Sequence, residues 1–375
     1  MPYQSPLLDV HGSIAPPETN PEQGVPWHWG DPFAEQRTAT RGVAVVDRSH
    51  REVLRVTGPE RLSWLHLVIS QHVTELSGGT EALVLDSQGH VDTHMVLAHA
   101  GETVYLDTDP GARATSALPK GGPQTLREYL EAMKFWSKVE IADATGELAV
   151  LSLLGPAAGR ILSFLDISLA AEPYSVTRLA GNAGFARRMP WPGRSSVDLV
   201  VPRNELTGWW QRITDAGARP AGSWAFHALR VESLRPRLGV DTDERTIPHE
   251  VNWIGSAAHV AKGCYRGQET VSKVFNVGRP PRRMLLLHLD GSPEIYPETG
   301  DPVRLGERVV GRVGSVAQHH ELGPVALALI KRSTPIDAEL LAGAEDRVVQ
   351  AAIDPDSVPA EGAAPGREAA ARLRG

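Results

Sequence analysis

A chain of 375 residues, 41% hydrophobic and 22% charged, is too long for one ordinary core and too rich in apolar residues for a disordered one, so two or three soluble domains are expected. Its formal charge of −7 gives no basic excess with which to hold nucleic acid. A single cysteine excludes an intramolecular disulfide and an all-cysteine metal or iron–sulfur site within one chain.

The opening stretch "MPYQSPLLDVHGSIAPPETNPEQG" has neither the basic nor the apolar block of a signal peptide, and no apolar run approaches bilayer length. A cytoplasmic monomer without membrane contact is the expectation, with residues 1–32 a flexible segment. Val43–Val46 and Val53–Val56 read as short strands. "TGPERLSWLHLVIS" reads as a turn feeding a helix, with Leu62, Leu65, Val68 and Ile69 at helical spacing. A β-meander follows, broken at Ser87–Gly89 and Gly101–Glu102. "TLREYLEAMKFWSKVEIADAT" goes from helix to strand, and "LAVLSLLGPAAGRILSFL" goes from strand through a turn to a helix. The stretch beginning "RMPWPGRSSVD" gives a strand pair and an amphipathic helix. This alternation predicts two ferredoxin-like α+β domains. Beyond residue 275, short strands with glycine-containing turns predict a small all-β barrel or sandwich.

The cysteine lies in "KGCYRGQE", residues 262–269. Lys262 and Arg266 flank Cys264 at equal spacing and would favour its thiolate, the form that reacts. Gly263 and Gly267 permit a tight turn and close approach of another molecule. The same residues also describe a plain turn whose thiol packs inward as a small apolar group. In "HVDTH", His90, Asp92 and His94 would share one strand face, where they could hold a divalent metal, line a polar cavity or face solvent. Trp191, Trp209, Trp210, Trp224 and Trp253 make the middle of the chain rich in indoles, of which Trp191 and Trp253 are the candidates to stack on a flat ligand. "GRPPRRM", residues 278–284, is either a solvated linker or a docking patch for an acidic partner.

"KGCYRGQE" resembles the K-G-C-[FY]-x-G-Q-E signature of the YgfZ folate-binding proteins, relatives of the glycine-cleavage T-protein, an aminomethyltransferase. "GVAVVDRS", "VTGPERLSWLH", "LVLDSQGHVDTHMVL", "ALRVESLRPRLGVDTDERTIPHE" and "VGRVGSVAQHHELGPVALALI" are similar to further segments of that superfamily, over roughly residues 40–332. The resemblance implies two interlocked α+β domains around a central hole that binds tetrahydrofolate, and a C-terminal antiparallel β-barrel. The corresponding boundaries are 33–50 with 146–225, 51–145 with 226–275, and 276–353, followed by a disordered tail over 354–375.

The resemblance makes Cys264 and Lys262 the reactive pair within the motif Lys262, Gly263, Cys264, Tyr265, Gly267, Gln268 and Glu269. It makes Asp92, Trp191, Arg194, Arg230, Trp253, Gln268 and Glu269 the candidates for contact with folate. Arg230 would meet the folate's own carboxylate, or else form a structural ion pair. Two departures from the T-protein pattern stand out. Arg194 occupies the place of a pterin-binding glutamate, and the paired aspartates read Asp92-Thr93. A guanidinium cannot accept from the pterin's N–H groups. These changes favour a YgfZ-type protein that supports iron–sulfur cluster assembly or repair in client proteins over a turnover enzyme. The alternatives are a folate-dependent aminomethyl- or methyltransferase and a non-catalytic scaffold.

Overall fold

The computed structural model describes residues 3–18, 20–111, 125–182, 184–193, 195–276, 278–292 and 294–359. Arg194, and the expected disordered tail from residue 360 on, lie outside the described residues.

Helix α1 (Pro32–Arg41) begins where the Asp31 carboxylate accepts from the amides of Phe33 and Ala34 at 3.0 and 2.9 Å, with Pro32 fixing the first φ. Strands β1 (Ala44–Asp47) and β2 (Glu52–Thr57) follow, and they enter different sheets. The crossing between them, Arg48–Arg51, is buried throughout. Helix α2 (Arg61–Val68), the meander β3 (Gly79–Leu85), β4 (Val91–Ala100) and β5 (Thr103–Thr108), helix α3 (Leu126–Ala132) and β6 (Glu140–Asp143) come next. They build an antiparallel sheet in the order β3-β4-β5-β2-β6. Trp64, Leu65 and Val68 of α2, with Leu126, Tyr129 and Leu130 of α3, pack on it.

The chain then returns to the first sheet through β7 (Leu148–Leu154), α4 (Ala158–Phe164), β8 (Val176–Arg178), β9 (Phe185–Met189), β10 (Ser196–Pro202), α5 (Leu206–Asp215) and β11 (Arg219–Ala221). Its order is β11-β1-β7-β10-β9-β8, antiparallel except for β1 beside β11. Helix α6 (Ser223–Glu232) is the axle of the molecule. Ala225, Phe226 and Leu229 pack with Val46 and Val96, while Ala228 and Val231 pack with Leu83, Leu286 and Leu327. After α7 (Gln268–Asn276), strands β12 (Arg282–Leu289), β13 (Pro302–Leu305), β14 (Arg308–His319), β15 (Gly323–Lys331), β16 (Leu340–Ala342) and β17 (Val349–Ile353) close into an antiparallel barrel. The fold is thus the expected mixed α and β architecture, and of the barrel and sandwich that the strand pattern left open it is the barrel, as the family resemblance implies.

The described part of the N-terminal segment is not loose. Leu7 and Val25 are completely buried, Ser5 bonds the Asp47 carboxylate, and Trp27 and Trp29 stack on Trp224 and Trp210 at 5.4 and 5.3 Å. A few large apolar side chains, spaced among prolines and polar residues, are enough to seat the segment on the first sheet and α6. Two of the five middle-chain indoles, Trp210 and Trp224, are therefore partners of this segment.

Candidate functional site

Three cavities lie in succession where the two sheets, α6 and the barrel meet. The outer one, about 630 Å³, is walled by Asp86, Asp92, His94, Asp109, Asp243 and Glu244 among others. His94 and Asp109 also line a narrow throat of about 30 Å³, with Arg48, His50, Arg51, Trp191 and Arg230. Glu22, His227 and Arg237 connect the throat to a third cavity of about 470 Å³, lined by Trp27, Trp224 and Tyr296. The outer and third cavities fall within the ~300–1,000 Å³ range of small-molecule sites. The throat has room for about one water molecule.

Strand β4 positions the outer wall. Its alternation puts Asp92 and His94 on one face. His94 meets the buried Glu81 of β3, Nε2 to Oε2 at 2.8 Å, and its ring lies parallel to Trp253, 4.9 Å away at 9°. Glu81, 1% exposed, also accepts from Trp191 Nε1 at 3.0 Å and from the Tyr174 hydroxyl, with Arg235 at 3.7 Å. Burial alone would raise this carboxyl; the His94 hydrogen bond and charge, with Arg235 and Tyr174, override burial and hold it at about 2. His90 is separate. It precedes β4 and pairs with Asp86 at 2.9 Å, so "HVDTH" does not converge on one point. Among the described residues no group of three or more His, Cys, Asp or Glu side chains could hold a metal ion.

The throat is filled by paired charge. Glu22 meets His50 Nε2 at 2.7 Å and also Arg237. Burial works against the Glu22 carboxylate, but Arg237 and His50 hold its pKa well below the usual range. Arg51 binds Asp107 at 2.6 Å and also Asp109. Arg187 joins Asp107 and Asp198 at 2.6 and 2.8 Å. Arg48 lies 4.0 Å above the Phe226 ring. Each cation is matched because an unpaired buried charge would be far costlier than the pair.

The expected folate contacts scatter. Asp92 is on the outer wall. Trp191 and Arg230 line the throat. Arg230 is committed elsewhere, to Asp241 at 3.1 Å, Ser315 Oγ at 2.6 Å and His227 Nδ1 at 3.1 Å, which is the structural ion pair and not an open carboxylate fork. Trp253 is 1% exposed and offers His94, not a ligand, its face. Gln268 accepts from the Tyr265 amide at 3.3 Å, and Glu269 is exposed on the first turn of α7; neither lines the three cavities. In the "GRPPRRM" cluster, Arg282 is paired with Glu250 and Asp243, so it is not a free docking charge.

Within the motif, Cys264 is exposed, whereas Lys262 is turned inward. Its ammonium donates to the carbonyl of His66 in the last turn of α2 and to those of Ile69 at 2.6 Å and Gln71 at 3.1 Å, just past its end. That is a helix-terminus role, and it corrects the expectation that Lys262 activates Cys264. Gly267, at φ +77°, packs so closely on the turn after β3 that a Cβ there would fall 2.6 Å from the Asp86 carbonyl and 2.8 Å from Gly89. The motif thereby buttresses the turn that carries Asp86 into the outer cavity. Arg266 and Asp92 both act on the buried Tyr129 hydroxyl, whose pKa burial raises.

Sequence reasoning left out Glu81, Glu22, His50, Arg51, Asp109 and Arg237. The charged run Asp47–Arg51, unusual between two apolar strands, is the one signal that could have found part of the throat.

Comparison with known proteins gives a consistent picture. The family model described as the GCVT N-terminal domain matches residues 24–258. An aminomethyltransferase of Nitrosococcus oceani is 27% identical over 233 residues, and the match spans 60% of this chain and 60% of that relative. An aminomethyltransferase of Thermus thermophilus is 26% identical over 341 residues, 86% of this chain and 88% of its own length. The crystal structure of glycine cleavage system aminomethyltransferase T from Bartonella henselae superposes with a TM-score of 0.77 at 16% identity, covering 94% of this chain and 96% of that one, which establishes the shared fold.

Proposed function

The chain belongs to the family defined by the GCVT N-terminal domain, and from that premise we propose that it is a folate-dependent one-carbon transferase acting on an aminomethyl donor. The observation that carries this reading is the acid-walled outer cavity, with Asp92 on its surface. A reduced pterin presents several N–H donors and needs acceptors, and the described lining carries the carboxylates of Asp86, Asp92, Asp109, Asp243 and Glu244, of which Asp109 is also bound by Arg51 and Asp243 by Arg282, with no lysine or arginine among the described lining residues. The cavity's size also suits a tetrahydrofolate, whereas the throat does not admit a bicyclic ring.

Bound there, the folate would supply the nitrogen atoms that carry the one-carbon unit. The chain's part is to hold the pterin edge with carboxylates, to keep its charged throat shut to it, and to receive protons at the wall. Calorimetry with tetrahydrofolate tests the reading. Saturable binding that Asp92→Asn weakens about tenfold or more is expected, since one buried charge-assisted hydrogen bond accounts for roughly 1.5–3 kcal/mol. No binding by the wild type would overturn it.

The "KGCYRGQE" turn favours a second reading, a YgfZ-type protein supporting iron–sulfur cluster assembly or repair in client proteins. Cys264 is exposed and thus available to a partner. In that case Cys264→Ser would impair the client's cluster while leaving folate affinity unchanged.

A further inference from the structure

The outer cavity holds a proton-transfer group that the aspartate pattern of the sequence does not reveal. Resting on the folate reading above, we propose that His94, oriented by Glu81, is the proton acceptor of the site and takes the proton that leaves N5 of tetrahydrofolate when a one-carbon unit is attached there.

Three observations carry this. First, the Glu81 carboxylate is ionised, so it can only accept; the ring nitrogen facing it at 2.8 Å, Nε2, must carry hydrogen. In the neutral imidazole the other nitrogen, Nδ1, then holds a lone pair. Second, His94 Nδ1 has no hydrogen-bond partner among the described residues, and His94 lines both the outer cavity and the throat. Third, the ring cannot easily turn away. It is stacked on the buried Trp253, and the His94 carbonyl accepts from the Thr108 hydroxyl at 2.9 Å. This is a base with an orienting partner, the arrangement that general acid–base chemistry needs.

The other imidazoles nearby do not turn an unpaired nitrogen into these cavities: His90 is oriented by Asp86 at 2.9 Å but lines neither the outer cavity nor the throat. His227 has both nitrogens engaged, Nε2 with the Val316 carbonyl at 3.0 Å and Nδ1 with Arg230 at 3.1 Å. His50 bonds Glu22 through Nε2, and its Nδ1 is sealed from any opening. The charges that share these two cavities with His94 include Asp92 on its own strand, Asp86, Asp109, Asp243 and Glu244 on the outer side, and Glu22, Arg48, Arg51, Arg230 and Arg237 in the throat, with Arg235 behind Glu81.

The step balances as follows. The N5–H bond breaks, its proton goes to Nδ1, and its electron pair stays on N5. The N5–C bond forms as the donor's C–N bond breaks, and that pair departs with the amine. The amine then takes the proton from Nδ1 and leaves neutral, which returns His94 to its starting form.

The test uses the full chain with ¹⁵N-labelled histidine, the His94 signal being assigned by its loss in His94→Gln. NMR at pH 7.5 should show the Nε2–H tautomer, and titration with tetrahydrofolate should move the Nδ1 resonance. Glu81→Gln should weaken the preference for the Nε2–H tautomer, because an amide can present Nε2 with either a donor or an acceptor whereas the carboxylate can only accept. If that variant does not fold, the wild-type tautomer and its response to ligand still decide the matter. Calorimetric binding with an unmoved His94 signal, or an Nδ1–H tautomer, overturns the proposal and leaves the folate reading standing. Absence of binding to the wild type removes both.

Discussion

Lys262 and His94 are both basic side chains set against the same sheet, and their surroundings differ in how many polar atoms are already taken. Lys262 has three N–H donors and faces three backbone carbonyls, so its hydrogen-bonding capacity is used up inside the protein. His94 has two ring nitrogens, of which one meets Glu81 and the other opens on the cavity. The lysine belongs to the most conspicuous motif in the chain and serves the fold. The histidine lies outside the cysteine motif, on a strand, and keeps an atom free for chemistry. Arg230 falls on the lysine's side of this contrast, since its guanidinium is shared among Asp241, Ser315 and His227. A polar group's availability, not its residue type, separates a structural cation from a reactive one.

The contrast can be broken by mutation. Arg230→Met would strand the buried Asp241 carboxylate and should cost about 3–5 kcal/mol of stability, read by denaturant unfolding. A variant as stable as wild type but deficient in folate binding would move Arg230 to the reactive side.

Acid should produce the next effect. The Glu81 carboxyl sits at about 2 when folded, against an ordinary value of 4.5. Its stabilising contribution is therefore complete above about pH 4.5 and is lost as pH falls toward 2, because the unfolded chain binds the proton first. The melting temperature should drop through that window, less steeply in Glu81→Gln. Identical acid limbs in the two proteins would mean that the Glu81–His94 pair adds nothing to the folded state.

Lys262→Met should cost about 2–3 kcal/mol, since it leaves carbonyls at the end of α2 without a donor. It should do so without changing the rate at which Cys264 reacts with iodoacetamide; a large fall in that rate would restore the lysine as the activator. Smallest of all, Cys264→Ser should shift stability by no more than about 0.5 kcal/mol, as expected of an exposed position. A melting point several degrees lower would place the thiol in the core.

Much of the architecture was legible in advance because it rests on local regularity. The two-residue alternation of Val91–Ala100, the glycine turns of the meander and the helical spacing of Leu62, Leu65 and Val68 each specify an element without reference to distant residues. The N-terminal segment was misread because its burial depends on single side chains, such as Leu7 and Trp27, meeting surfaces far along the chain.

The sequence by itself determined most strands and helices between Val43 and Asp215, the run of short strands beyond residue 275, the family motif and the presence of Asp92 on a strand. These are properties of short windows, in which periodicity and turn chemistry act alone. Tertiary structure decided which of the charged residues are neutralised and which face open space. Glu22 reaches Arg237 across 215 residues, Trp191 reaches Glu81 across 110, and Lys262 reaches the end of α2 across 196. A charge's role depends on what desolvates and partners it, and those neighbours are brought together by the packing of the sheets on α6, not by their order in the chain.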